Sequence, residues 1–257
     1  LNDVSEDALA KAEEWKESYL AGRVRKGKMT EDAAGGVRAR FRIDGNLETA
    51  ARDADLVVEA AIEQLDIKRA LFARLDEITK SQAILATNSS FIVSSKLAGA
   101  TKRPDKVANL HFFNPALVMK LVEVVMGVHS SEDTAQHLMA FAEKCGKFPI
   151  LIRKEIDGFI VNSLQRAITE EAFFLVENGY VTPQELDAAA EKGLNYPLGP
   201  FRLMDMTGID ISYLSRVRRY EETGDETQKP PKFLEEKYKK GELGKKTGKG
   251  WYDYSEK

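Results

Sequence analysis

The chain has 257 residues, 43% of them hydrophobic and 31% charged, with a formal net charge of -3 at pH 7. That balance fits a globular chain of one large domain or two smaller ones and excludes the general basic field expected of a nucleic-acid binder. A single cysteine, Cys145, excludes an internal disulfide, and no apolar segment reaches the roughly 20 residues needed to span a membrane.

Residues 6–34 read as one long charged helix, with Leu9, Ala12, Trp15, Tyr19 and Leu20 at helical spacing. Phe41-Arg42-Ile43 predicts a short strand, Gly45-Asn46 a turn, and residues 47–52 a short helix. Residues 56–61 form a compact apolar run with two valines, a predicted buried strand. Ile67, Leu71, Phe72, Leu75 and Ile78 then mark a helix over residues 66–79. Residues 83–87, 106–111, 121–126 and 149–152 predict further strands, with a helix over 131–145. Strands alternating with helices imply an α/β fold with a largely parallel sheet.

After Asp157-Gly158 the pattern turns helical. Residues 159–176 form a long helix closed by Asn178-Gly179. Thr182-Pro183-Gln184-Glu185 opens another with a capping box, and residues 197–220 add more helix. Residues 224–231 are a loop, and no strand-like run returns before Trp251-Tyr252-Asp253-Tyr254. The expected boundary lies near residue 155: an α/β domain over residues 1–155, then an all-helical domain over 156–257. Cys145 is expected to be a buried structural thiol in a reducing compartment, the cytoplasm or the mitochondrial matrix. Basic residues gather at Arg23, Arg25, Lys26 and Lys28, and again at Lys237, Lys239, Lys240, Lys245, Lys246 and Lys249. Such runs are solvated faces or sites for the phosphates of a small ligand.

Open α/β sheets bind ligands beyond the carboxyl ends of their strands. Glu63, Asn88-Ser89-Ser90 and His111 fall at such ends, and Glu123 lies inside the next apolar run. His111 is one of three histidines, in Leu110-His111-Phe112-Phe113-Asn114-Pro115. A carboxylate in so apolar a strand either finds a partner or points to solvent. Paired with His111, it would orient the imidazole as a general base near neutral pH. The residues alone leave an oxidoreductase or a hydrolase open.

Leu-His-Phe-Phe-Asn-Pro followed by Val118-Met119-Lys120-Leu121-Val122-Glu123-Val124 resembles the signature of the L-3-hydroxyacyl-CoA dehydrogenases. Further motifs follow that family's order over almost the whole chain: Val57-Val58-Glu59-Ala60-Ala61-Ile62-Glu63, Thr87-Asn88-Ser89-Ser90, Asp157-Gly158-Phe159-Ile160-Val161-Asn162, Tyr196-Pro197-Leu198-Gly199-Pro200-Phe201, and residues 243–252. The resemblance implies a Rossmann-type sheet domain followed by a helical dimerisation and substrate domain. It implies NAD-dependent, reversible oxidation of an L-3-hydroxyacyl-CoA, of short chain such as 3-hydroxybutyryl-CoA, by a homodimer, with no metal, nucleic acid or membrane partner.

The same resemblance assigns roles. His111 matches the general base and Glu123 the carboxylate that orients it. Ser90 and Asn162 match side chains bonded to the reacting oxygen and the thioester region. Glu63, Lys68, Asn114 and Lys246 match positions near the nicotinamide and its ribose, with Ser90 beside them. Asp3 matches the acidic residue on the adenosine ribose, which favours NAD over NADP. Lys26 matches a basic residue near the CoA phosphates.

One departure stands out. The chain has no Gly-x-Gly-x-x-Gly turn after a strand, the element that holds a dinucleotide pyrophosphate at a helix N-terminus. A strand-helix-strand span of about 30 residues is absent relative to the family pattern, so the sequence predicts weak NAD binding by this polypeptide. Alternative readings are a related hydroxy-acid dehydrogenase, a non-catalytic protein or fragment of the same fold, or a piece of a larger multifunctional chain.

Overall fold

The computed structural model describes residues 1–255. The chain divides into two compact units, the first running from Leu1 to Ile160 and the second starting at Val161.

The first unit opens with two helices where the sequence suggested one. α1 (Glu6–Arg25) ends at Lys26, and Gly27 then takes φ +63°, a left-handed conformation that stops a helix. Thr30 caps the next start by accepting from the Ala33 N–H, and α2 (Glu31–Arg40) follows. Phe41-Arg42-Ile43 forms no strand. Its backbone instead makes one parallel-style rung with the first residue, Leu1 N–H to Arg42 O at 2.7 Å and Asp44 N–H to Leu1 O at 3.0 Å. Asn46 then caps α3 (Leu47–Ala51).

The sheet is built from β1 (Leu56–Glu59), β2 (Ile84–Thr87), β3 (Val107–Phe112), β4 (Leu121–Val125) and β5 (Phe148–Ile152), in that spatial order. All neighbours are parallel except β3 and β4, which run antiparallel. Between the strands lie α4 (Leu65–Ile78), α5 (Ser95–Ala98) and α6 (Glu132–Lys144).

Alternate strand residues point to opposite faces and create two cores. Ala86, Ala108, Leu110, Val122 and Val124 meet Ala135, Leu138 and Ala142 of α6. Leu85 and Val107 face the other way, onto Phe72 and Leu75 of α4 and Leu97 of α5. Each fully buried Leu or Phe contributes about 1.5–3 kcal/mol relative to exposure. Cys145 does not join either core. It is exposed just past the end of α6: helical spacing from Ala135, Leu138 and Ala142 reaches position 145, but the helix stops at Lys144 and the chain turns away at Gly146, φ +71°.

The second unit is helical: α7 (Phe159–Glu177, which starts at the end of the first unit), α8 (Pro183–Gly193), α9 (Pro200–Thr207), α10 (Ile209–Thr223) and α11 (Lys232–Lys239). The helix expected over 197–220 is two helices, broken where Gly208 adopts φ +110°. α11 is an unanticipated element. Its Lys- and Glu-rich sequence hides one buried anchor, Leu234, among charged neighbours. Phe173, Leu186, Phe201, Met204, Ile209, Leu234 and Trp251 form the core.

The terminal motif over 243–252 closes this core. The buried Asp205 carboxylate accepts from the Trp251 and Tyr252 N–H groups and the Tyr254 hydroxyl, at 2.9, 3.0 and 3.1 Å. A Cβ at Gly250 would collide with that carboxylate, so only glycine allows the approach. Among the described residues, no helix is long and apolar enough to cross a membrane.

Candidate active site

The antiparallel pairing of β3 with β4 sets His111 directly opposite Glu123. Directly opposed residues hold their Cβ atoms about 4.5–5.5 Å apart, close enough for short bridges between side chains. Here His111 Nδ1 lies 2.9 Å from Glu123 Oε2. Glu123 has no exposed surface and His111 only 7%. A buried carboxylate needs compensation. The imidazole supplies part of it, and the Ile160 N–H, in the first turn of α7, supplies more by donating to Oε1 at 3.0 Å. Phe113 and Phe159 stand edge-on to the imidazole, with ring centroids 4.7 and 5.4 Å away. A carboxylate acceptor assigns the proton to Nδ1 and leaves Nε2 as the basic nitrogen.

A second charged cluster joins the ends of β1 and β2. Lys68 Nζ donates to Glu59 Oε1 at 2.6 Å and to Ala61 O at 3.0 Å, and lies 3.3 Å from Glu63 Oε2. The side chains of Lys68 and Glu59 are each 1% exposed. Glu59 Oε2 also accepts the Thr87 hydroxyl at 2.7 Å. Glu63 accepts the Ser89 hydroxyl and the Ile92 N–H, tying the β1 end to the segment after β2. Burial pushes the Glu63 carboxyl up, but the Ser89 hydrogen bond and the Lys68 charge outweigh it, so Glu63 ionises below its usual range.

Ser90 is half-buried in the segment between β2 and α5, and its hydroxyl makes no hydrogen bond among the described residues. Its neighbour Asn88 accepts the Phe112 N–H at 2.8 Å, which fastens the segment beside His111. Asn114 is exposed just beyond β3. Asp3 is also exposed and accepts the Ser5 N–H at 2.9 Å, a turn leading into α1. Lys26 caps the other end of α1, where Ser18, Tyr19, Gly22, Arg23, Lys26 and Lys28 line an open cavity of about 310 Å³.

Two expected site residues belong to the second unit. Asn162 is half-buried in the first turn of α7. Lys246 holds both oxygens of Asp210, at 2.6 and 2.7 Å. Sequence reasoning passed over Glu59, Thr87 and Asn109. Glu59 carried the signal that drew attention to Glu123, a carboxylate inside an apolar strand, with a lysine on the following helix to meet it.

The family description "3-hydroxyacyl-CoA dehydrogenase, NAD binding domain" matches residues 1–156, and its C-terminal domain matches residues 158–254. A probable 3-hydroxybutyryl-CoA dehydrogenase of Bacillus subtilis is 37% identical over 255 residues, spanning 99% of this chain and 88% of that protein. The solved (S)-3-hydroxybutyryl-CoA dehydrogenase of Ralstonia eutropha superposes with TM-score 0.89 at 35% identity, covering 99% of this chain and 89% of its own. A 3-hydroxybutyryl-CoA dehydrogenase structure from Escherichia coli gives TM-score 0.93 at 36% identity, and this chain spans 54% of its length. The matched domain makes NAD the cofactor and the protein an oxidoreductase. With both domain types matched in order along one chain, the protein belongs to the 3-hydroxyacyl-CoA dehydrogenase family.

Proposed function

We propose that the protein oxidises short-chain L-3-hydroxyacyl-CoA thioesters, such as 3-hydroxybutyryl-CoA, to the 3-ketoacyl-CoA and runs the reverse reduction at the same site. The observation that carries this reading is the buried His111–Glu123 pair at 2.9 Å. His111 Nε2 takes the proton of the 3-hydroxyl, and Glu123 stabilises the imidazolium that forms. In the reverse direction the same nitrogen returns the proton to the ketone oxygen. Ser90, whose hydroxyl is otherwise unengaged, donates to that oxygen. Phe113 and Phe159 keep water from the imidazole.

NAD, when bound, supplies the hydride acceptor. The donor set at the strand ends suits its nicotinamide and ribose. The Glu63 side chain is 33% exposed, so it can accept ribose hydroxyls while it stays ionised. Asn114 offers an exposed amide beyond β3. Lys68 is committed to Glu59 and Ala61, so we assign it to holding Glu63 rather than to direct contact. The basic cavity around Lys26 and Lys28 is a fitting place for CoA phosphates. The single cysteine, exposed as a free thiol, suits a reducing compartment such as the cytoplasm.

We further propose that the helical unit forms a homodimer. Leu164 and Ile168 lie one turn apart on α7 and are 61% and 37% exposed, and Ile211 and Leu214 on α10 are 58% and 50% exposed. The direct test of the activity is NADH oxidation with acetoacetyl-CoA, run at NADH concentrations high enough to offset the weak dinucleotide binding expected without a Gly-x-Gly-x-x-Gly turn. Turnover that collapses in His111→Ala supports the reading, and a His111→Ala variant of full rate refutes it.

A further inference from the structure

Asn109 stands on β3 two residues before His111, so both side chains leave the same face of the strand. It is wholly buried, where an amide must satisfy both its donor and its acceptor. It does so with one short segment. Asn109 Oδ1 accepts the Ser94 N–H at 2.8 Å, and Nδ2 donates to Ser89 O at 3.1 Å and Ile92 O at 3.3 Å. All three partners are backbone groups on either side of Ser90. The Ser89 hydroxyl adds an internal brace by accepting the Ile92 N–H at 2.7 Å.

We propose that Asn109 is a positioning residue that sets where the Ser90 hydroxyl sits, an inference that rests on the role given to Ser90 above. The hydroxyl and the base would then be registered to a single strand: His111 is part of β3, and Ser90 is fastened to β3 through Asn109. A side chain that serves only to fill the core would need none of these bonds. Without them Ser89 O and Ile92 O lose their donors and the segment is free to shift. A shift near 1 Å at a reacting group costs about 100-fold in rate.

The test is a double-mutant cycle on the dehydrogenase reaction, combined with amide hydrogen exchange of the protein without substrate. Ser90→Ala, Asn109→Ala and the double variant are assayed for kcat and KM. The expected result is a loss of about 10- to 100-fold in kcat for Asn109→Ala, absent in the Ser90→Ala background. Exchange should quicken at Ser94 and Ile92 while Leu110 stays protected. Multiplicative losses in the double variant would make Asn109 merely structural and overturn the inference while leaving Ser90 in place. A Ser90→Ala variant of full rate would overturn the role of Ser90, and the inference with it. Should Asn109→Ala not fold, Asn109→Asp, which keeps the acceptor for Ser94 and loses both donations, enters the same cycle; failure of both to fold refutes the inference.

Discussion

His111 and Glu123 face each other across an antiparallel pair of strands, Nδ1 to Oε2 at 2.9 Å, inside a sheet that is otherwise parallel. The reversal at β4 is what converts two residues separated along the chain into a dyad. Removing the imidazole should cost about 10²- to 10⁴-fold in kcat, the usual contribution of a positioned general base. Glu123→Gln should cost less, about 10- to 100-fold, matching the 1.5–3 kcal/mol typical of a hydrogen bond to a charged group. Steady-state kinetics of the two variants will show whether that order holds. A Glu123→Gln loss larger than that of His111→Ala would contradict the assignment of the base.

The Glu59–Lys68 pair is buried on both sides, at 2.6 Å. Removing one partner of such a pair leaves an uncompensated charge and costs about 3–5 kcal/mol, whereas replacing both by apolar residues is often neutral. Glu59→Gln should therefore lower the urea midpoint strongly. Glu59→Leu combined with Lys68→Met should recover only part of the stability, because the Thr87 hydroxyl and the Ala61 backbone lose their partners, while Glu63 loses its cation. Chemical denaturation of the three proteins separates the outcomes, and a double variant as unstable as Glu59→Gln would count against the argument.

Much of this was legible in the sequence, and the gaps have physical causes. β1 to β5 could be read because each is a short apolar run bounded by polar turns, and the Thr182 capping box because its residues are local. The strand direction was not, because periodicity is the same whichever way a strand runs. That is why Glu123 could be read as facing either solvent or His111, until the register decided. Glu59 and Asn109 escaped notice because their partners lie in other elements: Lys68 on α4, and the Ser89, Ile92 and Ser94 backbone between β2 and α5. The expected burial of Cys145 failed because the residue falls just past Lys144, where α6 ends, although it continues the buried spacing of Ala135, Leu138 and Ala142.

Glu242 holds the terminal loop to α11 through Lys237 at 2.7 Å and Lys249 at 2.9 Å. The Lys237 and Lys249 hydrogen bonds lower its carboxyl from 4.5 to about 2. A carboxyl depressed in the folded state adds stability that is fully present above its unfolded value and is lost as pH falls through the folded one. The stability difference between the wild type and Glu242→Gln should thus be constant well above pH 4.5, fall across the window between 4.5 and about 2, and vanish only below about pH 2. Thermal unfolding of both proteins across that window is the measurement, and a difference that grows on acidification would refute the role of the ion pairs.

The exposed apolar residues of the second unit carry the dimer prediction. On α7, Phe173 is 2% exposed and belongs to the core of its own unit, while Leu164 and Ile168 remain open to solvent at 61% and 37%. One helix thus serves two purposes, with its buried side spent on folding and its exposed side available to a second copy. Replacing Leu164 and Ile168 by Glu sets four like charges opposite each other if α7 meets its symmetry mate across a two-fold axis, where a surface patch must match itself. Burying such charges unpaired is prohibitive, so the doubly substituted protein should be monomeric yet folded. Light scattering across micromolar concentrations, with circular dichroism as the check on folding, distinguishes the outcomes. A wild type of monomer mass, or a substituted protein that still dimerises, would show that this face of α7 is not the interface.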